Sequence, residues 1–296
     1  MKFFKEVLAL ILISLTLVLL SGAEGCAKTE TRTSNVGLNM AFVEGAPPVN
    51  IVVNKEFPIY VDVQNMGGSY INKGRAKFYM SGIGKNLKNV KTSLVNDVTF
   101  EKEALFPERI VFAEKAKFDF PLQNIFVQTL VLTSCYDYGG IAQATVCITS
   151  ANESKICDLK TAKIISNTAG PVKIGSITET LAGDKLQIYF DIVNLGTGQP
   201  FQADTECDKL EANEFSESQK QGKVNIEIQT NEAILCKLQS ETAPFGQISG
   251  LKGVAPIGKV MCEKKLTTED YQSPLTISLR YKYRDSISQN INVIPA

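Results

Sequence analysis

Ile59-Tyr-Val-Asp-Val-Gln-Asn-Met-Gly67 returns 129 residues later as Ile188-Tyr-Phe-Asp-Ile-Val-Asn-Leu-Gly196. Five of the nine positions are identical, and Val61/Phe190, Val63/Ile192 and Met66/Leu195 exchange one apolar residue for another. The alternation has a period of two: Phe57, Ile59, Val61 and Val63 share one face and Tyr60, Asp62 and Gln64 the other. That is a strand with one buried side. Asn65 to Gly68 is expected to end it in a turn or bulge, because Asn and Gly tolerate positive φ.

A second echo fixes the unit of repetition. Tyr136-x-Tyr138 followed by Val146-x-Ile148 matches Tyr281-x-Tyr283 followed by Ile291-x-Val293 at an offset of 145. The two offsets differ by 16 residues, so the second copy carries extra chain in its middle. A solenoid would repeat every 20 to 50 residues or so; this repeat is a duplicated domain.

Between these echoes the pattern is one of short strands separated by Gly, Pro and Asn. In the first copy they fall at Leu38 to Val43, Val49 to Val53, Phe57 to Gln64, Ala76 to Met80, Arg109 to Phe112, Lys117 to Phe120 and Ile125 to Ser134. A hairpin is expected to close around Gly139-Gly140 and return along Ala142 to Thr149. The second copy runs through Val172 to Ile177, the repeated motif, a polar insertion from Gln199 to Gln221, and strands at Val224 to Gln229, Ala233 to Leu238 and Lys259 to Glu263. It ends with Leu275 to Tyr283 and Ile287 to Ile294. The best helical candidate is a short turn at Lys209 to Glu217.

The reading is all-β: two tandem Ig-like antiparallel β-sandwiches after an N-terminal signal or anchor segment. Residues 1–25 form the signal or anchor, 26–36 a polar tether, 37–157 the first sandwich, 158–170 a linker and 171–296 the second sandwich. Val7 to Leu20, preceded by Lys2 and Lys5, is apolar apart from Ser14 and Thr16. Fourteen helical residues span only about 21 Å, less than a hydrocarbon core of about 30 Å. Ser21-Gly-Ala23 suits ordinary signal cleavage. Ala23-Glu-Gly-Cys26 resembles a lipobox whose Cys26 carries lipid, with Glu24 where that motif has a small neutral residue. The lipid-anchored reading leads; secretion and a retained anchor are the alternatives.

Composition removes whole classes of chemistry. The 296 residues contain no histidine and no tryptophan, and 31 Lys and Arg balance 31 Asp and Glu. Histidine-dependent triads and HExxH zinc sites are excluded, and no net field draws the chain to nucleic acid. Gly253-Val-Ala-Pro-Ile-Gly258-Lys259 has the glycines and lysine of a P-loop, but Val260 stands where the Mg²⁺-binding hydroxyl belongs and a strand follows where a helix is needed. No nucleotide or other cofactor is expected. Ser249-Gly-Leu-Lys252 is the one Ser-x-x-Lys and lies in a glycine-spaced loop. The run Asp204, Glu206, Asp208, Glu211, Glu214 and Glu217 begins like a calcium loop but lacks its glycine and closing glutamate, so no metal site is assigned. Lys85, Lys88 and Lys91 read as a solvated loop.

Seven cysteines suit an exported chain. With Cys26 reserved for lipid, the disulfide candidates are Cys135, Cys147, Cys157, Cys207, Cys236 and Cys262. Cys147–Cys157, symmetric about Asn152, and Cys236–Cys262 are the preferred pairs; Cys135–Cys147 is the competing choice. With three cysteines per copy, a bridge must cross between the copies or two thiols stay free. Asn152-Glu-Ser154 is the only N-glycosylation sequon.

The motif strand and its Asn-x-Gly exit resemble CARDB-type and related Ig-like domains of archaeal and bacterial surface proteins. That resemblance implies a spacer, adhesion or display role and brings no catalytic residues. The expected protein is therefore an extracytoplasmic, membrane-anchored, non-enzymatic one, whose partners are the membrane and other surface proteins or glycans. Its binding surface is expected on the Gln199 to Gln221 insertion. The alternatives are a carbohydrate-binding or carbohydrate-active module, with two carboxylates about 5 to 9 Å apart, and a surface-filament subunit with an open strand edge.

Overall fold

The computed structural model describes residues 34–151, 154–231, 233–237, 251–266 and 269–296. The first copy contributes β1 (Leu38–Phe42), β2 (Asn50–Val52), β3 (Glu56–Asn65), β4 (Ala76–Ser81), β5 (Leu87–Lys88), β6 (Ser93–Val95), β7 (Glu108–Phe118) and β8 (Phe126–Ile148). After β9 (Ser166–Asn167), the second contributes β10 (Val172–Ala182), β11 (Lys185–Asn194), β12 (Gln199–Gln202), the short helices α1 (Cys207–Glu211) and α2 (Phe215–Ser218), β13 (Lys223–Thr230), β14 (Leu235–Cys236), β15 (Leu251–Pro256), β16 (Gly258–Lys265) and β17 (Tyr271–Ile294). The protein is nearly all β and its sheets are overwhelmingly antiparallel.

The repeated stretch is β3 and β11. Phe57, Ile59, Val61 and Val63 are buried while Tyr60, Asp62 and Gln64 are half-exposed; Leu186, Ile188, Phe190 and Ile192 are buried on β11. Each strand sits in a four-stranded sheet, ordered β1-β3-β7-β5 and β10-β11-β16-β14. Their apolar faces join one continuous core with a nine-stranded sheet whose spine is β15-β13-β17-β8-β4-β6. Phe118 of β7 meets Phe126 of β8 edge to face, with ring centroids 6.0 Å apart.

The nine-stranded sheet belongs to both copies. β8 and β17 pair antiparallel from Phe126↔Val293 to Tyr271↔Ile148, 23 registered residues and about 76 Å of strand. Each final strand therefore runs past its own copy into the other. Ile291 and Val293 of β17 are buried where β17 also pairs with β2, while Val146 and Ile148 of β8 are buried against the start of β17.

Three sequence expectations are corrected here. No hairpin closes at Gly139-Gly140, because β8 continues straight through. The glycines answer a close approach: a Cβ on Gly139 would lie 2.7 Å from the Leu279 carbonyl oxygen, and one on Gly140 3.0 Å from Thr168 Oγ1. Likewise Leu275 to Tyr283 and Ile287 to Ile294 are one strand, with Asp285↔Ser134 in register between them. In the same way, Arg109 to Phe112 and Lys117 to Phe120 join in β7, whose register shifts opposite Ile59.

Residues 158–170 lie against both copies. β9 pairs with Ala142 and Gln143 of β8, and the Asn167 side chain bonds both the N–H and the carbonyl of Ile174 on the outer edge of β10. The described residues form one compact unit. Among them no helix is long and apolar enough to cross a membrane.

Candidate functional site

The feature with the most built geometry is the seam along which β8 and β17 pair. On its inner face Tyr136, Tyr138, Tyr281 and Tyr283 form a closed ring of contacts, with centroid separations of 5.7, 5.9, 6.0 and 6.2 Å. Buried aromatic groups with a hydroxyl need partners, and the duplication supplies them twice. Tyr136 Oη accepts from the Leu38 N–H at 3.1 Å, and Tyr281 Oη from the Val172 N–H at 3.4 Å. Tyr138 Oη donates to Asn65 Oδ1 at 3.4 Å, and Tyr283 Oη to Asn194 Oδ1 at 3.1 Å.

This explains the repeated Asn-x-Gly. Asn65 Oδ1 also accepts from the Gly67 N–H and its Nδ2 donates to the Ser69 carbonyl; Asn194 does the same for Gly196 and Gly198. Neither Gly67 nor Gly196 has positive φ, so the expected reason for these glycines is corrected. A Cβ at Gly67 would stand 1.7 Å from Tyr138 Oη, and one at Gly196 2.3 Å from Tyr283 Oη. Burial drives the Tyr136 and Tyr281 hydroxyls well above their ordinary range and raises Tyr283 to about 12. All four are hydrogen-bonding neutral phenols at physiological pH, suited to holding strands together and not to proton transfer.

On the outer face the seam is charged. Asp137 and Lys282 are register partners and equivalent positions of the two copies, so each faces its own counterpart. They form an ion pair, and Arg75 Nη1 lies 3.6 Å from the second carboxylate oxygen of Asp137. Beside them the 199–221 insertion folds down. Cys207 at the start of α1 is bonded to Cys135 of β8, and this is the bridge that crosses between copies. Asp208 pairs with Lys77 and accepts from Tyr79 Oη at 2.8 Å, both on β4; Glu211 accepts from Arg284 Nη2 at 2.9 Å. Helices of five and four residues have no stability of their own. The disulfide and these contacts hold them.

Five of the six carboxylates of the acidic run, all but that of Glu214, are thereby given a partner. Besides Asp208 and Glu211, Glu217 takes the Glu206 N–H at 2.8 Å and Lys220 at 3.1 Å, Glu206 pairs with Lys209, and Asp204 lies 3.5 Å from Lys220. Among the described residues no three His, Cys, Asp or Glu side chains converge as a metal site. Two open cavities flank the seam. One of about 230 Å³ lies between Arg75, Lys77, Lys282 and residues 205–208; the other, of about 360 Å³, is lined by Tyr70, Arg75, Asp137, Tyr138, Arg280 and Tyr281. Asp137 and Asp208, the carboxylates named in these linings beside Glu206, are each held by a cation.

The other sequence candidates are scattered. Cys147–Cys157 and Cys236–Cys262 are bonded, the latter between facing residues of β14 and β16. Gly253 lies inside β15 and Gly258-Lys259 opens β16, with Lys259 over the Tyr189 ring. Tyr60 and Asp62 are engaged on their own sheet: Tyr60 donates to Glu114 at 2.5 Å and Arg109 grips Asp62 at 2.9 and 3.2 Å. Lys85, Lys88 and Lys91 are exposed. Cys26, Asn152 and Ser249 lie outside the described residues. In a further buried pair Lys163 Nζ lies 2.7 Å from Glu179 Oε2, and Lys163 lines a surface cavity of about 400 Å³ beside the Cys147–Cys157 bridge.

Sequence reasoning missed two features. One is the charge exchange at positions 137 and 282, visible once the 145-residue offset is applied to the residue between the tyrosines. The other is Leu105-Phe106-Pro107, an apolar tip one residue after the charged Glu101-Lys-Glu103.

No family model matches the chain, and no curated protein matches it. Among solved structures, the secreted serine protease VesC from Vibrio cholerae is similar at 10% identity with a TM-score of 0.18, covering 83% of this chain and 51% of that one. The chain thus spans about half the length of that protein, at a likeness that carries no statement about fold or chemistry.

Proposed function

We propose that this is an exported, membrane-tethered cell-envelope protein in which two fused copies of an Ig-like, CARDB-like sandwich act as one stiff, non-enzymatic unit for spacing or display. The observation that carries this reading is the shared sheet: 23 paired residues and the Cys135–Cys207 bridge make the two copies mechanically one body. Three disulfides are the mark of an oxidising, extracytoplasmic environment. The insertion, where loops on a rigid scaffold would ordinarily bind, is spent on clamping the copies together. The presenting surface then lies elsewhere, on the exposed connections of the first copy.

The test is fractionation of cells producing the full chain, followed by intact mass with and without reduction. Expected are a membrane-associated product beginning at Cys26, carrying lipid, with six cysteines protected until reduction. A cytosolic product with free thiols would overturn the reading.

A further inference from the structure

The connection from β6 to β7, residues 96–107, has almost no counterpart: the equivalent connection between β15 and β16 is Ile257 alone. At its end Leu105 and Phe106 are each 80% exposed. Exposure on a floppy loop would mean little, but this one is pinned. The Glu103 N–H donates to the Gly67 carbonyl at 2.9 Å, the Ala104 N–H to the Asn65 carbonyl at 2.8 Å, and Gln64 Nε2 to the Ala104 carbonyl at 2.7 Å. Glu103 is held at φ 50°. The tip is thus rigidly mounted on the Asn-x-Gly turn of the first copy.

The same turn is where the N-terminal segment joins the body. The Met66 N–H donates to the Gly37 carbonyl at 2.9 Å, and the Gly170 N–H donates to the Ser34 carbonyl at 2.9 Å. The Asn35 carbonyl lies against Gly196 and that of Val36 against Gly67, so the segment passes between the two turns. Val36 (38%) and Leu195 (51%) are also exposed there. Seven residues separate Cys26 from Ser34, and fully extended they reach at most about 28 Å. A chain tethered through Cys26 therefore keeps this end of the body close to the bilayer. Tyr70 with Lys102 over its ring at 5.5 Å stands at the base of the tip, an amphipathic pair suited to headgroup depth.

We propose that Leu105 and Phe106 are a second membrane contact, inserting into the interface of the bilayer that holds the N-terminal tether and so fixing the orientation of the body. This rests on the membrane-tethered reading. A single leash leaves a rigid body free to tumble, and a second, rigid apolar contact beside it removes that freedom at small loop-closure cost.

The absence of tryptophan from the chain makes the test direct. Phe106→Trp is introduced into the full exported chain, which is reconstituted in phosphatidylcholine vesicles with and without brominated acyl chains. Ile125→Trp is the control: Ile125 is exposed and immediately precedes β8, about 43 Å along the chain from Tyr138. Expected are flotation of both variants with the vesicles, blue-shifted emission from position 106, quenching there by bromine and loss of quenching by acrylamide, with none of these at position 125. Flotation with water-like emission at position 106 would overturn the second contact and leave the tether standing. Failure of both variants to float would overturn the tether and this contact with it. A blue shift that persists without lipid and fades on dilution would assign the tip to a second copy of the chain, and also overturn the proposal.

Discussion

Two connections occupy the same place in the two copies and do different work. In the first copy β3 reaches β4 through residues 66–75, a tight passage over Gly67 with no helix and no cysteine. In the second, β11 reaches β13 through residues 195–222, which hold β12, α1 and α2 and bond through Cys207 to the other copy. What was duplicated keeps each copy folded, and what diverged joins them. The Asn-x-Gly turn and the two tyrosines do the same job on both sides; Asp137 against Lys282 and Cys135 against Cys207 exist only because the copies are unlike. An unmodified pair of identical copies would face like with like at position 137.

The hardest blow to that division of labour is to separate the copies. A chain cut between residues 158 and 170, its halves made separately, leaves Phe126 to Ile148 of β8 without β17 and leaves β17 without β8. Neither half is expected to give a monomeric folded product, because each would expose a long unpaired edge. A soluble, cooperatively melting first copy by circular dichroism and sedimentation would break the comparison. Next in size is the bridge. Replacing both Cys135 and Cys207 with serine frees a 72-residue loop and is expected to cost about 4 kcal/mol in chemical denaturation. Loss of the short Cys147–Cys157 loop, with separation 10, should cost less, about 2.7 kcal/mol on the same scale.

The glycines test the shared half of the comparison. Gly67→Ala and Gly196→Ala should each destabilise by about 1–3 kcal/mol through overpacking. The two should then part company. Tyr138→Phe removes the hydroxyl nearest a Cβ at position 67 and should restore much of the loss. Tyr283→Phe should restore less at position 196, because Pro171 Cβ remains 2.7 Å away. Equal rescue would mean that the turns are not held as described.

How much of this was legible follows from the range of each interaction. The strand pattern of β3 and β11 and the pairs Cys147–Cys157 and Cys236–Cys262 could be read because they are set by alternation and by near neighbours. The straight run of β8 through Gly139-Gly140 could not. Glycine pairs signal turns when the cause is local, and here the cause is Leu279 and Thr168 approaching from elsewhere in the chain. The same holds for Asn65 to Gly68, where Tyr138 forbids a side chain and φ is ordinary. The acidic run begins like a calcium loop because sequence shows its carboxylates side by side, while Lys77, which holds Asp208, and Arg284, which holds Glu211, arrive from distant strands. The Cys135–Cys207 bridge was one of the two open arithmetic outcomes, and only the shared sheet selects it.

Charge at the seam gives a smaller effect. Asp137→Lys sets Lys against Lys282, beside Arg75, and should cost about 1 kcal/mol, since the pair is only partly buried. Lys282→Asp should cost a similar amount, and the double exchange Asp137→Lys with Lys282→Asp should recover part of it. The recovery is incomplete by prediction, because Arg75 then faces a lysine. Full additivity of the two losses in a double-mutant cycle would show that the residues do not interact.

The smallest effect has a sign that separates the divergent clamp from a buried pair elsewhere. Hydrogen bonds from Lys77 and Tyr79 hold the Asp208 carboxyl below its ordinary value. A carboxylate with a depressed folded-state pKa contributes stability that is present above its unfolded value, about pH 4, and lost as pH falls through the folded one. Glu179 runs the other way. Burial raises it despite Lys163 and the Cys147 N–H, so its contribution is fully present below the unfolded value and lost as pH rises through the folded one. Melting temperature against pH for the wild type and for Asp208→Asn therefore distinguishes them: the gap between the two curves should be open at neutral pH and close below about pH 4. Asp208 is largely exposed, so the gap is small and shrinks further in salt. A gap that stays constant down to acid pH would mean that α1 is held to β4 by the disulfide alone, and that the insertion's acidic residues contribute nothing to joining the copies.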